Sequence, residues 1–241
     1  MLIAERLEKR YGARVAVDRL SFEVARGETL GLLGPNGAGK STTMGLLVGT
    51  LVADGGRVIV DGAEDPRRPE VRRRLGYAPQ ALAIYAELSA AENLRFFARL
   101  HGLRGAALGA RVEAALAAAG LTERCDERAG RLSGGTQRRL NLAAALVHDP
   151  PVLLLDEPPV GVDPHSRVHL HECVERLAAE GRTVLYTTHH MEEAERLCDR
   201  VAIVDEGRLL DVGTVAELRA RHGGGDLEAV FLELTGRSLR D

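Results

Sequence analysis

The chain has 241 residues, and its 32 basic and 35 acidic residues leave a net charge of −3 at pH 7. With 45% hydrophobic and 28% charged positions, it is too apolar for a disordered tail and too weakly charged for a protein that coats nucleic acid. Its length suits one composite globular unit. Lys9 and Lys40 are the only lysines, and the other basic residues are arginines. A lysine in this chain could therefore have a specific role that arginine does not fill.

Neither a membrane span nor a secretory signal is expected. The longest apolar runs, such as Leu142–Val147 and Ala81–Ala86, are six residues long, whereas a helix that crosses a bilayer needs about 20. The start of the chain lacks a long apolar segment with a cleavage site, so we expect a protein that begins at Met1 and acts inside the cell. The three cysteines are far apart in the sequence, which favours reduced thiols over disulfides or a zinc site. They are Cys125, Cys173 and Cys198.

Short runs rich in Val, Ile and Leu predict strands in the first third of the chain. These runs are residues 2–9, 15–24, 28–33, 56–60 and 74–78. We expect the first two, with the turn Ala25–Glu28, to form an antiparallel ribbon. Thr29–Leu33 is followed by a glycine-rich loop and then by a helix that starts at Lys40.

The rest of the chain predicts a helical insert followed by a parallel sheet. Ser89–His101 and Arg111–Ala119 have helical spacing, and no strand is predicted before Pro151, so the insert spans roughly sixty residues. The predicted strands 152–155, 183–187 and 201–204 then alternate with predicted helices, as in βαβ units. Those helices lie around Pro164–Ala179 and Met191–Leu197, and a last one at Leu227–Leu234 follows the hinge-like segment His222–Gly225.

The first chemical motif lies between a predicted strand and a predicted helix. It fits the pattern G-x-x-x-x-G-K-[ST] and comprises Gly34, Pro35, Asn36, Gly37, Ala38, Gly39, Lys40, Ser41 and Thr42. Glycines let successive backbone N–H groups turn toward phosphate oxygens, and the following helix N-terminus adds positive potential. Lys40 is expected to reach the β- and γ-phosphates and Ser41 to hold Mg²⁺. A compact ammonium fits such a crowded loop better than a guanidinium, which explains why Lys40 is not Arg.

The second motif is an apolar strand, Val152–Leu155, that ends in two carboxylates. A buried strand delivers Asp156 to the sheet edge where phosphate loops lie, so we expect it to support the Mg²⁺. Glu157 points the other way and is placed to orient or deprotonate a water that attacks the γ-phosphate. Alone, the pair could equally be solvated loop residues, but beside the phosphate loop the catalytic interpretation is favoured.

The third motif is Leu132–Gln137, directly before the helical run Arg138–Val147. Ser133, Gly134 and Gly135 open that helix and predict a second anion site, although a serine before a helix is ordinarily a simple cap. At this point the sequence resembles the ATP-binding-cassette (ABC) ATPase family, whose signature is Leu-Ser-Gly-Gly-Gln. Thr136 stands in the last place of that signature here.

Four further family motifs occur in the expected order. The resemblance implies that Tyr11 stacks on adenine, that Gln80 in Tyr77–Gln80 is the glutamine loop, and that His189 after Thr187–Thr188 is the switch histidine. It also implies that Asp163 belongs to the loop that follows the acidic pair. Taken singly, these residues could be a surface aromatic, a turn residue, a strand-end histidine and a helix cap. The adjacent His190 is expected to face solvent.

The resemblance covers nearly the whole chain and implies roles and partners. Gln80 would contact Mg²⁺ or the attacking water and report the nucleotide state to a membrane partner, and His189 would hold the γ-phosphate. The family sandwiches ATP between the phosphate loop of one cassette and the Ser-Gly-Gly segment of another. Because this chain has one copy of each, we expect a homodimer, or a heterodimer with a similar cassette, that closes with ATP and opens after hydrolysis.

Three segments are similar to the daunorubicin-resistance and multidrug exporter branch (ABC-2 type), which supplies ATPase subunits to separately encoded permeases. They are Glu157–Pro164, Thr188–Glu195 and Leu227–Arg237. The implied location is peripheral on the inner face of the cell membrane, through a permease and without nucleic acid. The transported substrate would be drug-like, a lipid or another compound selected by the permease. Pro159 departs from the branch, which usually has Thr or Ser there, and removes a hydroxyl and a backbone donor beside Glu157.

A basic cluster precedes Gln80. A solvated face is the favoured interpretation, and contact with anionic headgroups or acidic permease loops is the alternative. The cluster comprises Arg67, Arg68, Arg72, Arg73 and Arg74.

The expected fold is an α/β P-loop nucleoside-triphosphatase fold of the ABC type, with a mainly parallel sheet core, an antiparallel β subdomain and a helical insert. We expect one nucleotide-binding domain over residues 1–241. Its RecA-like core with the antiparallel β subdomain would span 1–84 and 151–222, its helical subdomain 85–150 and its tail helix 223–241. Three alternatives remain: a P-loop kinase, a soluble ABC ATPase of repair or translation, and a nucleotide-binding switch without hydrolysis.

Overall fold

A computed structural model describes residues 1–236 of the chain. It forms two compact units, one built from Met1–Arg72 together with the segment from Gly181 onward, the other from Arg73–Glu180. Of the predicted tail helix, the part beyond residue 236 lies outside the described residues, as does Arg237 of the exporter-like segment. The predicted domain boundaries at residues 84, 150 and 222 stay predictions.

Nineteen α-helices and β-strands occur in the described part of the chain. The first unit begins with β1 (Leu2–Tyr11), β2 (Arg14–Val24), β3 (Thr29–Leu33), α1 (Lys40–Leu47), β4 (Gly55–Val60), β5 (Ala63–Glu64) and α2 (Pro69–Arg72). The second unit contains β6 (Leu75–Ala78), α3 (Ala90–Leu100), α4 (Gly105–Ala118), α5 (Gly134–Leu146), β7 (Val152–Asp156) and α6 (Pro164–Ala179). The first unit resumes with β8 (Thr183–Thr188), α7 (Met191–Leu197), β9 (Arg200–Asp205), β10 (Arg208–Gly213), α8 (Val215–Arg221) and α9 (Leu227–Thr235).

The antiparallel sheet of the first unit has the order β2-β1-β4-β5. β1 and β2 form the predicted ribbon, with Leu2 opposite Val24 and Tyr11 opposite Arg14. The ribbon turns at Gly12, which has φ of 60° and takes the left-handed conformation at low cost. The turn was therefore wrongly placed at Ala25–Glu28, which joins β2 to β3. The turn at Gly12 and the segment Ala25–Glu28 both contain a glycine. Only the pairing of β1 with β2 shows that the ribbon turns at Gly12.

The parallel strands of the first unit position the phosphate loop. β3 lies between β8 and β9 and runs parallel to both, with Leu33 opposite Thr188 and Ile203. All residues of β3 and β8 are buried, as expected for strands covered on both faces. Because parallel strands end at the same edge, residues that follow Leu33 and Thr188 come together there. β10, which pairs antiparallel with β9, was not predicted.

The second unit holds a parallel pair and a helical core. β6 pairs with β7 in parallel, with Ala78 opposite Leu155, so both strands end at the same edge. The predicted helical insert is present as α3, α4 and α5, whose apolar faces bury residues such as Leu94, Val112 and Leu140. Together with the antiparallel sheet, these features confirm the predicted α/β class. No described helix is long and apolar enough to cross a membrane.

Candidate functional site

Two glycines of the loop between β3 and α1, Gly34 and Gly39, have no room for a side chain. A Cβ on Gly34 would lie 2.2 Å from the Val204 carbonyl oxygen, and one on Gly39 would lie 2.4 Å from the Ala16 carbonyl oxygen. Gly37 and Gly39 have φ of 86° and 99°, which other residues adopt only with strain. The backbone therefore forms a tight concave loop at the start of a helix, the arrangement that binds phosphate.

Lys40 lies inside this loop. Its side-chain ammonium donates hydrogen bonds to the Gly34 and Pro35 carbonyl oxygens at 2.6 and 3.0 Å, and the residue is only 5% exposed. The charge is thus held where the loop closes, as a phosphate-binding lysine requires. Ser41 follows in the first turn of α1 and is exposed, so its hydroxyl is accessible to a bound ion or phosphate.

The loop is braced from the side by the turn between β9 and β10. The Gly207 N–H donates to the Ala38 carbonyl oxygen at 3.0 Å, and the Asp18 N–H donates to the Gly207 carbonyl oxygen at 2.8 Å. These bonds link the loop to β2 and preorganise it before any ligand binds.

Tyr11 ends β1 in the same unit as the loop and is 49% exposed. Its ring lies 5.8 Å from the Lys9 ammonium, a cation–π distance. Lys9 is itself held by the Val52 carbonyl oxygen at 2.8 Å and the Asp54 carboxylate at 2.9 Å. Lys9 therefore supports the exposed ring that was predicted to stack on adenine.

A buried hydrogen-bond network orients the segment after β8. The Thr188 hydroxyl donates to the Glu193 carboxylate at 2.7 Å and accepts from the His190 N–H at 2.9 Å. The Tyr186 hydroxyl donates to the same carboxylate at 3.2 Å. These bonds fix the backbone on both sides of His189. His190, expected in solvent, is partly buried, and its ring centroid is 4.1 Å from that of His189.

The two acidic residues at the end of β7 are both buried, Asp156 at 2% and Glu157 at 5% exposure. Glu157 has φ of 44°, a conformation that costs a non-glycine residue about 1 kcal/mol or more and is typical of functional positions. The Tyr77 hydroxyl lies 3.5 Å from the Asp156 carboxylate. Burial, reinforced by Asp156, raises the pKa of Tyr77, so the phenol remains a proton donor.

Gln80 reaches Glu157 directly. Its side-chain amide Nε2 donates to the Glu157 carboxylate Oε2 at 3.2 Å. The predicted glutamine loop and the predicted base are thus in contact within the second unit. They meet because β6 and β7 end side by side.

Two residues of α5 that the sequence analysis missed hold this loop. The Arg138 guanidinium donates to the Gln80 carbonyl oxygen and, at 2.9 Å, to the Val160 carbonyl oxygen. Burial lowers the pKa of Arg138. Asn141, 4% exposed, donates to the Pro79 carbonyl oxygen at 3.1 Å and accepts from the Ala83 N–H at 3.0 Å. A lone polar residue within the apolar run 140–147 is the signal that could have identified Asn141.

The predicted Ser-Gly-Gly segment starts α5. Ser133 is its N-cap, and its hydroxyl accepts from the Thr136 N–H at 3.3 Å and lies 2.8 Å from the Thr136 hydroxyl. The two glycines differ. A Cβ on Gly135 would lie 2.1 Å from the Ser166 hydroxyl oxygen of α6, whereas one on Gly134 would meet nothing within 4 Å. Gly135 is therefore required for helix packing, and Gly134 is open to solvent.

Asp163 caps the N-terminus of α6, which is the helix-cap alternative given for this residue in the sequence analysis. Its carboxylate accepts from the Ser166 N–H at 3.0 Å, and the bonds from Ser166 lower its pKa. Pro159 is buried in the preceding turn, where its carbonyl oxygen accepts from the Val162 N–H at 3.3 Å. The departure at Pro159 is compatible with this turn.

The basic cluster is partly neutralised. Arg67 bonds to Asp65, whose pKa is lowered by that guanidinium, and Arg68 pairs with Glu70. Both arginines are exposed. This favours the solvated-face interpretation for the first two members of the cluster.

The site residues are divided between the two units. The first unit carries Tyr11, the phosphate loop and His189; the second carries Gln80, the acidic pair, Ser133–Gly135 and Asp163. The donor chemistry suits Mg-ATP, because a glycine cradle with a buried ammonium matches phosphate, while hydroxyl, carboxylate and amide oxygens are the ligands Mg²⁺ prefers.

Comparison with known proteins supports the same chemistry. The profile of the family described as "ABC transporter" matches residues 17–160, more than half of the chain. The chain is 44% identical over 225 residues to the linearmycin resistance ATP-binding protein LnrL of Bacillus subtilis (strain 168), covering 93% of this chain and 72% of that protein. It is 45% identical over 228 residues to the Nod factor export ATP-binding protein I of Paraburkholderia xenovorans (strain LB400), covering 94% and 75%.

A solved structure described as the ATP binding subunit of an ABC transporter has the same fold. It superposes with a TM-score of 0.87 at 32% identity, covering 98% of this chain and 99% of that one.

Proposed function

Because this chain belongs to the ABC transporter family, as an ATP-binding subunit that hydrolyses ATP in exporters of that family, we propose that it drives export through a separate membrane permease. The observation that carries the proposal is the phosphate loop, in which Lys40 is buried and Gly34 and Gly39 leave no room for a side chain. The two relatives are named for different compounds, linearmycin and Nod factor. Selection of the exported compound therefore belongs to the permease.

Nucleotide binding is divided among the predicted site residues. Backbone N–H groups of Gly34–Gly39 and the Lys40 ammonium bind the phosphates, and the exposed ring of Tyr11 stacks on the base. His189, oriented by the Thr188 and Glu193 bonds, donates to the γ-phosphate. Ser41, Asp156 and Gln80 would hold Mg²⁺, which neutralises phosphate charge when bound.

Hydrolysis depends on the buried carboxylate of Glu157. It orients the attacking water and accepts a proton from it. Gln80 binds this carboxylate through its side-chain amide and is itself held by Arg138 through its backbone. A change in the glutamine loop therefore reaches the base through one hydrogen bond, and this contact makes the loop suited to couple the nucleotide state to a permease.

The active form is a dimer of cassettes. Ser133 and Gly134 are exposed at the start of α5, where N–H groups of a helix N-terminus attract phosphate. The segment Ser133–Gly135 of one cassette, assisted by Asp163, faces the phosphate loop of the other, and ATP lies between them. The subunit then works at the inner face of the cell membrane, bound to the permease, with the Arg67–Arg74 cluster as a solvated face.

ATP-dependent dimerisation tests this proposal. Size-exclusion chromatography of Glu157→Gln with Mg-ATP should give a dimer, because bound ATP is no longer hydrolysed. The double variant Glu157→Gln/Lys40→Ala should remain a monomer at the same concentration. A size that does not respond to ATP in Glu157→Gln would overturn the sandwich arrangement.

A further inference from the structure

Two histidines on α6 lie with their ring nitrogens facing each other. Nε2 of His165 is 3.1 Å from Nε2 of His169, and the ring centroids are 4.5 Å apart with planes at 77°. The residues are four apart in the helix and so share one face. His165 is exposed, and the His169 side chain is 45% exposed. Neither residue takes part in the nucleotide site described above.

Glu172 sets the tautomer of His169. Its carboxylate Oε2 lies 3.2 Å from Nδ1 of His169. Because an ionised carboxylate only accepts, Nδ1 of His169 donates to it, and in the neutral imidazole Nε2 of His169 is the acceptor in the contact with His165. Nε2 of His165 donates in that contact, so it binds an ion only after its proton has moved to Nδ1 of the same ring or to solvent. A carboxylate behind an imidazole is the arrangement that orients metal-binding histidines in proteins.

The separation of the nitrogens fits two ligands of one ion. With metal–nitrogen bonds of about 2.0–2.1 Å, two tetrahedral ligands are about 3.3 Å apart and two adjacent square-planar ligands about 2.9 Å apart. The observed 3.1 Å lies between these values. Residues 1–236 contain no group of three or more His, Cys, Asp or Glu side chains suited to a metal. An ion held here therefore has two protein ligands and completes its shell with water.

The surroundings leave the histidines open to an ion. They line a pocket of about 500 Å³ that also includes Ser133, Thr136, Arg124 and Arg139. The cationic side chains are directed elsewhere: Arg139 donates to the Ala119 and Gly120 carbonyl oxygens, and Arg124 lies 3.8 Å from Glu127. The guanidinium groups of Arg124 and Arg139 are therefore engaged elsewhere, and the histidine nitrogens form this wall of the pocket.

We propose that His165 and His169 bind one divalent transition-metal ion, of the class that prefers imidazole, at the wall of this pocket. Zn²⁺, Ni²⁺ and Cu²⁺ belong to that class, whereas Mg²⁺ prefers oxygen ligands. The two histidines are not among the residues proposed to bind nucleotide, although Ser133 lines the same pocket, and the metal site does not depend on the proposed function. It also adjoins the start of α5, because Ser166, between the two histidines, packs against Gly135.

Ni²⁺ binding to the nucleotide-free, untagged chain tests the site. Equilibrium dialysis should show one more bound ion in the wild type than in His165→Ala/His169→Ala. Glu172→Gln should keep that ion but bind it roughly ten- to hundredfold more weakly, as loss of a carboxylate behind a histidine ligand does elsewhere. His101→Gln, which changes a histidine outside α6, should bind like the wild type.

Two further readouts keep the test independent of folding. Ni²⁺ should raise the thermal unfolding temperature of the wild type but not of the double variant. The electron paramagnetic resonance spectrum with Cu²⁺ should show two nitrogen ligands in the wild type. Equal ion number and affinity in the wild type and the double variant, or loss of the same ion in His101→Gln, would overturn the proposal.

Discussion

The side-chain amide of Gln80 donates a hydrogen bond to the carboxylate of Glu157, with 3.2 Å between Nε2 and Oε2. The contact joins an exposed loop residue to a buried acid in a left-handed conformation. A water-activating carboxylate, the role proposed for Glu157, must be held in a narrow range of orientations. We therefore expect this bond to make Gln80 a determinant of turnover.

Replacing Gln80 by Ala should lower kcat for ATP hydrolysis roughly ten- to hundredfold, since a small displacement of the base has a large effect on rate. KM for ATP should change less than kcat, because the phosphate loop and the other two proposed Mg²⁺ ligands, Ser41 and Asp156, are intact. Steady-state phosphate release over a range of ATP concentrations measures both. A raised KM with unchanged kcat would instead make Gln80 a binding residue.

Asn141→Leu should destabilise the chain and slow hydrolysis. The variant leaves the Pro79 carbonyl and the Ala83 N–H without their buried partner, at a cost of about 1–3 kcal/mol. Asn93→Leu is a matched control, because Asn93 is also buried and bonds to the backbone of Tyr85. Both variants should unfold at lower temperature. At a temperature where both are folded, only Asn141→Leu should lower kcat, and equal rates would count against a role for Asn141 in holding Gln80.

The adjacent glycines at the start of α5 should respond differently to alanine. Gly135→Ala places a Cβ 2.1 Å from the Ser166 hydroxyl oxygen, and overpacking of this kind costs about 1–3 kcal/mol. Gly134→Ala meets no neighbour within 4 Å and should not lower stability. If Gly134 approaches phosphate in a dimer, its variant should lose ATP-dependent association while keeping its unfolding temperature. Equal unfolding temperatures for the two variants would refute the packing argument.

Two stacked histidines in the second unit predict acid sensitivity. The rings of His101 and His148 lie 3.5 Å apart with planes at 3°, and His148 Nε2 donates to the Leu75 carbonyl oxygen at 3.1 Å. Burial, then the neighbouring His101, lowers the pKa of His148 to about 4 from its usual 6.5. Burial, then Arg73, lowers the pKa of His101. The pair is therefore neutral in the folded protein at pH 7.

Between about pH 6.5 and pH 4 the unfolded chain takes up a proton at His148 that the folded chain does not. The free energy of unfolding should thus fall as the pH falls through this window, by up to about 3 kcal/mol from this group. His148→Gln keeps a donor for Leu75 and removes the titration. Urea unfolding at pH 7.5, 5.5 and 4.5 should show a smaller acid loss in the variant than in the wild type; parallel losses would contradict the assignment.

The parts of the candidate site that the sequence predicts are those encoded locally. The phosphate loop occupies consecutive residues between a strand and a helix, and the acidic pair ends a single apolar strand. The backbone conformation of such a segment can be predicted from its own residues, without knowledge of contacts to distant parts of the chain. The contact between Gln80 and Glu157 follows once β6 and β7 are known to lie side by side.

The parts that were missed depend on contacts between distant segments. Arg138 bonds to a backbone oxygen 58 residues away, and Asn141 to one 62 residues away. Gly135 was recognised as part of a helix start, but its close approach to Ser166 depends on how two helices pack. Glu193 lies close in sequence to Thr188, yet a glutamate in the first turn of a helix is ordinarily solvent-exposed, so its burial at 4% exposure gave no local signal.

The rate of phosphate release by Glu157→Gln tests the account most directly. With Mg-ATP, the variant should bind nucleotide but hydrolyse it about a hundredfold or more slowly than the wild type, as loss of a general base predicts. Glu23→Gln, on the exposed side of β2, should hydrolyse at the wild-type rate. Turnover of Glu157→Gln close to the wild-type rate would contradict the assignment of Glu157 as the base.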